Sequence, residues 1–425
     1  SVQFQALTIM NTNPLKICLL GYRSNPYSGG QGIYIRYLSK ALVDAGHQVD
    51  VISGPPYPIL DEGVQLIKLP SLDLFEAPNH VTAIRPRHLL SFTDFFEWFS
   101  MFTGGFPEPY TFGRRLVRYF QEQQPNYDVV HDNQSLCYGL LKLQNQGVPI
   151  LATIHHPITS DREIALKNAT DWKARLLIKR WHNFLGMQQK VVTGLNHVVT
   201  VSQQSRQDIA TAFSRHPDQI EVVHNGIDTD VFEPKADIKK APFRIMATAS
   251  ADQPLKGVKY LVRAMNIVKK SYPQAHLVVL GKLNEDGEIA KLITTLNLNE
   301  CIKFISGIDN KELVDLYNEA SMVVVPSVYE GFGLPAGEAM ACGLPVISTN
   351  GGALPEVVGD AGIIVPTRDA DAIAESIIHL FENPEVCAGL ASKARSRILE
   401  QFSWQVAARA MVEKYSQVID EVRAA

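Results

Sequence analysis

The sequence is poor in cysteine, and its five cysteines (Cys18, Cys137, Cys301, Cys342, Cys387) are scattered without a C-x-x-C pair. An odd, unpatterned set excludes a disulfide framework and points to a reducing compartment. A basic excess is also missing. Forty Lys and Arg stand against 44 Asp and Glu, a net charge of −4, so no general nucleic-acid binder is expected. No apolar run approaches the roughly 18 residues that span a bilayer. The opening residues, Ser1 to Thr8, show neither the basic start nor the apolar core of a secretory leader. Together these absences set the expectation of a cytoplasmic protein. Neither G-x-x-x-x-G-K-[ST] nor G-x-S-x-G occurs, which removes P-loop and serine-hydrolase chemistry. No His/Cys cluster has zinc spacing, and no short repeat or low-complexity tract interrupts the chain.

What is present is an ordinary globular composition, 46% hydrophobic and 20% charged, over 425 residues. That length is too great for one core and predicts two domains. Short apolar runs alternate with amphipathic stretches throughout, the pattern of βαβ units and parallel sheets. Strands are expected at 16–20, 48–53, 64–68, 129–131, 150–154 and 197–202, then at 244–248, 276–280, 303–306, 322–326, 346–349 and 362–365. The Pro- and Lys-containing segment Phe232 to Phe243 is the expected linker. The division is therefore 1–231, 232–403 and a last helix, 404–425. The fold class is α/β, with two Rossmann-like doubly wound domains whose strand ends face a central cleft.

The most informative stretch runs from Pro326 to Pro345. An apolar strand leads into a Gly-rich bend carrying Glu330, and a short helix is expected to open at Pro335 with Glu338 in its first turn. Such a junction offers free backbone N–H groups at a positive helix end, which suits a phosphate, and carboxylates that accept from sugar hydroxyls. Gly29, Gly30 and Gly32 precede a helical stretch from Tyr34 to Ala45. They either admit a diphosphate or reacting sugar close to the backbone or make a tight turn. The third glycine of a dinucleotide fingerprint is replaced by Ile35, which disfavours NAD. His155 ends a mid-domain strand, where a lone histidine is either a structural polar group or a substrate contact. Lys256, before Gly257, can reach a leaving diphosphate as a compact charge. Asp228-Thr229-Asp230 has metal-site spacing, but its position after Asn225-Gly226-Ile227 suits a turn.

Glu330 and Glu338 stand eight apart, and this segment resembles the E-x7-E motif of retaining GT-B glycosyltransferases of family 4. The resemblance extends to Gly29-Gly30-Gln31-Gly32, Thr153-Ile154-His155, Asn225-Gly226-Ile227-Asp228, Lys256-Gly257 and Phe402-Ser403-Trp404. It implies a nucleotide-sugar donor (UDP or GDP) and transfer of a hexose, glucose or mannose, with retention and without an enzyme nucleophile. Residue by residue, it implies that His155 contacts the transferred sugar or helps position the reacting groups, and that Glu330 binds hexose hydroxyls. Glu338 would bind the ribose, and Lys256 would hold the diphosphate with the Gly331, Phe332, Gly333 and Leu334 backbone. Gly30 and Gly32 would complete the donor site, and the last helix would cross back to the first domain. No metal or other cofactor is implied. The family's arginine, about five residues before the lysine, is absent from Ser250-Ala251-Asp252-Gln253-Pro254-Leu255, and Lys282 is a substitute to consider.

A glycosidase would need its two carboxyls roughly 5 Å apart, or about 6.5–9.5 Å for inversion, whereas eight helical positions span about 12 Å. On the acceptor side, Arg114, Arg115, Arg175 or Arg180 would hold the phosphate of a sugar-phosphate acceptor, as in sucrose-phosphate formation. Alternatively the aromatic stretch Phe92 to Tyr110 and the basic stretch Trp172 to Lys190 dock on a membrane face to reach a lipid or glycan acceptor, or these residues pack a core beside a solvated basic face. The remaining alternatives are an epimerase or phosphorylase relative and an inactive nucleotide-sugar-binding subunit.

Overall fold

The computed structural model describes residues 13–26, 30–74, 79, 85–158, 162, 165–166, 169, 171–249 and 253–424. Gly29 and residues 250–252 lie outside them.

The first sheet contains seven strands: β1 Lys16–Gly21, β2 Gln48–Ser53, β3 Val64–Lys68, β4 Val129–Asn133, β5 Ile150–Ile154, β6 His197–Thr200 and β7 Ile220–Val222. The second contains six: β8 Arg244–Thr248, β9 His276–Leu280, β10 Ile302–Ile305, β11 Met322–Val325, β12 Val346–Thr349 and β13 Ile363–Val365. β4, β5, β11 and β12 are buried along their whole length, as strands between two helix layers must be. Only β7 escapes the sequence pattern, because three residues are too few to show a period.

The strand orders are β3-β2-β1-β4-β5-β6-β7 and β10-β9-β8-β11-β12-β13. The ladders joining β3 through β5, and all those of the second sheet, are parallel. In each sheet the chain first winds one way and then the other, so it reverses between β1 and β4 and between β8 and β11. Loops diverge there at the carboxyl ends of the strands, which is where such sheets bind ligands.

The described chain forms two compact units, and they do not divide at 231/232. Residues 200–208 and 222–407 make the second unit, and 408–425 group with the first. The segment Phe232 to Phe243, read as a linker, is thus part of the second unit. Arg395 donates to the Phe232 carbonyl at 2.8 Å, and the Lys235 amide donates to Asn318 at 2.8 Å. Proline and lysine mark surface chain, and surface chain can be pinned. The last helix, Trp404–Ala424, buries Met411, Tyr415, Val418 and Ile419. The Tyr415 hydroxyl lies 2.6 Å from His131 Nδ1 in β4, and His131 Nε2 lies 2.6 Å from the Thr153 hydroxyl in β5.

Candidate functional site

The loops after β8 and β11 flank the second unit's reversal point, and glycine lets them touch. Gly257 follows a single 3-10 turn, Pro254–Lys256, with φ +65°. A Cβ there would lie 2.0 Å from the Pro326 carbonyl oxygen. The Val328 amide donates to the Leu255 carbonyl at 2.8 Å. This close approach brings Lys256 Nζ to 2.8 Å from Glu330 Oε1, and the Ser327 hydroxyl donates to the same oxygen at 2.7 Å. Oε2 of Glu330 has no hydrogen bond among the described residues. The two motif residues therefore form an ion pair between the two loops. Gly257→Ala combines a steric conflict with an unfavourable φ, and should lower thermal stability by several degrees and weaken nucleoside diphosphate binding. Differential scanning calorimetry and titration check it, and an unchanged midpoint would refute the contact's importance.

The bend is held from other sides by residues the sequence did not announce. Ser202 and Ser205 hydroxyls donate to the Gly331 carbonyl at 2.8 and 3.2 Å, and Tyr329 bonds Asp208. Gly351 and Gly352 lie where a Cβ would meet the carbonyls of Val328 and Glu330 at 2.6 and 2.1 Å. Glu356 accepts from the amides of Gln203 and Gln204 at 2.9 and 3.0 Å and lies 3.2 Å from His224 Nε2. Against the cost of burial, the hydrogen bond with His224 and then the two amide bonds keep its carboxyl below the usual range. A Gly-Gly pair one residue after β12 was the signal available.

The helix opens at Leu334, not Pro335, and runs to Ala341 with Gly333 as its N-cap at φ +99°. The amides of Phe332, Gly333 and Leu334 make no hydrogen bond among the described residues, as the first N–H groups of a helix lack intrahelical partners. Glu338 lies beyond the first turn, a correction to the sequence expectation. Its Oε2 accepts from the Tyr317 hydroxyl at 3.2 Å. Burial pushes its carboxyl up to about 7, against the lowering effect of that hydrogen bond. Lys282 is exposed after β9 and makes no ion pair among the described residues.

In the first unit the helix Gln31–Asp44 begins three residues earlier than expected. Gly30 is its N-cap at φ +73°, with open space beside its Cα. Gly32 lies inside the first turn. A Cβ there would meet the carbonyl oxygens of Asn25 and Ser24 at 2.3 and 2.5 Å, so this glycine admits the chain's own backbone. His155 follows β5, and its Nε2 lies 2.6 Å from Asn133 Oδ1. Tyr34 meets its ring edge-on at 4.6 Å. Burial, with His156 beside it, brings the His155 pKa down to about 3, so the ring is neutral and donates no proton from a charged form.

The arginines divide. Arg114 is exposed, bonded to the Thr93 hydroxyl and stacked over Phe92. Arg115 is ion-paired with Asp94 and Glu97, and Arg175 reaches the Leu166 carbonyl. Arg180 lines a cavity of about 320 Å³, walled by Phe96, Phe106, Tyr110, Tyr138 and Phe184. Core packing does not account for the outer aromatics, since Phe92 is 62% and Trp172 70% exposed. Asp228 accepts from the amides of Asp230 and Val231 at 3.2 Å. Gly226 packs where a Cβ would lie 2.3 Å from the Trp404 ring, and the Ile227 amide donates to the Phe402 carbonyl. Two distant motifs thus meet in one structural seam.

The family model for Glycosyltransferase Family 4 matches residues 28–231, and that for Glycosyl transferases group 1 matches residues 231–397. The MMP α-(1→4)-mannosyltransferase of Mycolicibacterium hassiacum is 41% identical over 414 residues, 96% of this chain and 100% of that protein. The chain belongs to glycosyltransferase family 4. Within the family, a D-inositol 3-phosphate glycosyltransferase of Catenulispora acidiphila is 26% identical, with 98% of each chain covered. The sucrose-phosphate synthase of Thermosynechococcus elongatus shares the GT-B architecture at a TM-score of 0.69 and 26% identity, covering 96% of this chain and 100% of that one. As a family 4 glycosyltransferase, the chain transfers a sugar to an acceptor. No helix among the described residues is long and apolar enough to cross a membrane.

Proposed function

We propose that this glycosyltransferase moves a hexose from a UDP- or GDP-sugar to an acceptor hydroxyl with retention of configuration. The observation that carries the reading is the Lys256–Glu330 ion pair at the second unit's reversal point, followed by a helix start whose Phe332, Gly333 and Leu334 amides make no hydrogen bond among the described residues. Lys256 and the amides of Phe332, Gly333 and Leu334 take the leaving diphosphate's charge. Gly331 shapes the bend and Glu330 binds hexose hydroxyls. Gly30 and Gly32 build the helix N-terminus in the first unit, and His155 contacts the sugar. Glu330 is tied to Lys256 and Ser327, and Glu338 to Tyr317, which supports front-face departure and attack over a nucleophile and acid pair at these two carboxylates. Stabilisation by pre-placed charge is then the main catalytic term. The 41% identical mannosyltransferase supports mannose as the hexose.

The aromatic cavity with Arg180 supports a sugar or sugar-phosphate acceptor. A lipid-linked acceptor is the second reading, favoured by exposed Phe92, Phe102, Trp172 and Leu176 near Lys173 and Lys179.

Calorimetric titration with UDP, GDP and ADP, without added metal, tests the donor site. Ribose hydroxyls donating to Glu338 favour its ionised form and pull its pKa down from about 7. Binding should therefore release a proton at about pH 6.5 and tighten as pH rises through 7. The measured enthalpy should follow the buffer's ionisation heat, and Glu338→Gln should abolish that dependence. No binding of any diphosphate would sink the reading.

A further inference from the structure

Two consecutive side chains at the end of β4 hold His155 by its two halves. Gln134 Oε1 accepts from the His155 amide at 2.7 Å, and Gln134 Nε2 donates to the His156 carbonyl at 2.7 Å. Asn133 Nδ2 donates to the Gln31 carbonyl at 3.1 Å, in the first turn of the helix Gln31–Asp44. That bond fixes which end of the amide faces His155. The atom 2.6 Å from His155 Nε2 is the amide oxygen, which only accepts. His155 Nε2 must therefore carry the ring's hydrogen. A neutral imidazole has one N–H, so Nδ1 is left bare, and it has no hydrogen bond among the described residues.

We propose that Asn133 is a positioning residue that locks His155 in its Nε2–H tautomer, so that Nδ1 accepts a hydroxyl of the transferred sugar. The proposal deepens, and rests on, the reading of His155 as a sugar contact. Burial supports it by keeping the ring neutral, with its pKa near 3. Both residues belong to the first unit, and strand pairing sets their spacing, because Asn133 is in register with Thr153 of β5. A histidine held this way discriminates by hydrogen-bond direction. A hydroxyl that donates satisfies it, whereas a group that only accepts leaves two lone pairs opposed.

The test combines nitrogen NMR of histidine-labelled full-length protein with turnover of UDP- and GDP-hexoses, read as released nucleoside diphosphate. The wild type should show His155 protonated at Nε2. In Asn133→Ala the Nδ1–H form should become populated. The kcat should fall about tenfold, with the dissociation constant for the diphosphate changed less than about twofold. Asn133→Asp keeps an acceptor and should keep the tautomer, while its charge makes the ring easier to protonate. An acid limb should then appear in the kcat profile, with Tyr34, His131 and His156 the titratable groups about the ring. An Nδ1–H wild type, or an unchanged tautomer and kcat in Asn133→Ala, overturns the proposal. If the tautomer is as stated but no hexose is released, the lock stands and the functional reading falls.

Discussion

Lys256→Ala is expected to lower hexose release by about 10²–10³-fold, the usual consequence of losing a charge aimed at a developing anion. In the resting protein Lys256 is paired with Glu330 at 2.8 Å, with 29% and 11% of the two side chains exposed. On the proposed reading a bound diphosphate would compete with that carboxylate for the ammonium, bringing more negative charge than Glu330 supplies. The lysine would then turn from a structural partner into a leaving-group partner. Because the pair is partly solvated, its loss should cost little stability, of order 1 kcal/mol or less. The variant should melt near the wild type and bind diphosphate more weakly. Lys256→Arg is no rescue, since a planar fork does not replace a point charge against Glu330 and Ser327. Kinetics on a UDP- or GDP-hexose decide the matter. Release within threefold of the wild type would remove Lys256 from the mechanism.

Deleting residues 408–425 should unfold the first unit. Met411, Tyr415, Val418 and Ile419 are each at most 4% exposed, and burying such side chains contributes about 1.5–3 kcal/mol apiece. Four of them sum to about 6–12 kcal/mol, comparable to the whole stability of a domain at 5–15 kcal/mol. The deletion also strips His131 Nδ1 of its hydroxyl partner inside the sheet, and an unsatisfied buried group adds about 1–3 kcal/mol. Limited proteolysis should cut the truncated protein within 13–199 while 222–407 resists. Tyr415→Phe, which removes only the hydroxyl, should lower the melting temperature by a few degrees. A truncated chain that melts like the intact one would refute the assignment of the last helix to the first unit.

The sheets were legible because strands packed between helix layers read as short apolar runs. Twelve of the thirteen strands fall where such runs predict them, although β3 has no fully buried residue. Lys256 and Glu330 stood out in the sequence as a cation after one strand and a carboxylate after its neighbour, each in a glycine-marked loop. Their direct pairing was not legible, because it depends on Gly257 resting on the Pro326 carbonyl, a contact across 69 residues of sequence. Glu338 falls one position further from the helix start than expected, beyond the first turn, because the helix opens at Leu334. Asn133 was invisible for a different reason: an Asn closing a strand has no local pattern, and its meaning comes from His155 and Gln31 converging on one amide. Among the arginines, the sequence shows charge but not partners, and those partners come from elsewhere in the chain, as Asp94 and Glu97 do for Arg115.

The grouping of 408–425 with the first unit bears on how the protein is made. After β6 and β7 have emerged, the ribosome must add residues 222–407 before the helix that completes the first unit exists. At 5–20 residues per second that interval is roughly 10–40 s. For its duration the face awaiting Met411, Tyr415, Val418 and Ile419 stays open to water and to other nascent chains. The second unit, encoded later, can close first. Chaperone demand in the cell should therefore track the delay in translating the intervening segment more than the stability of the finished enzyme.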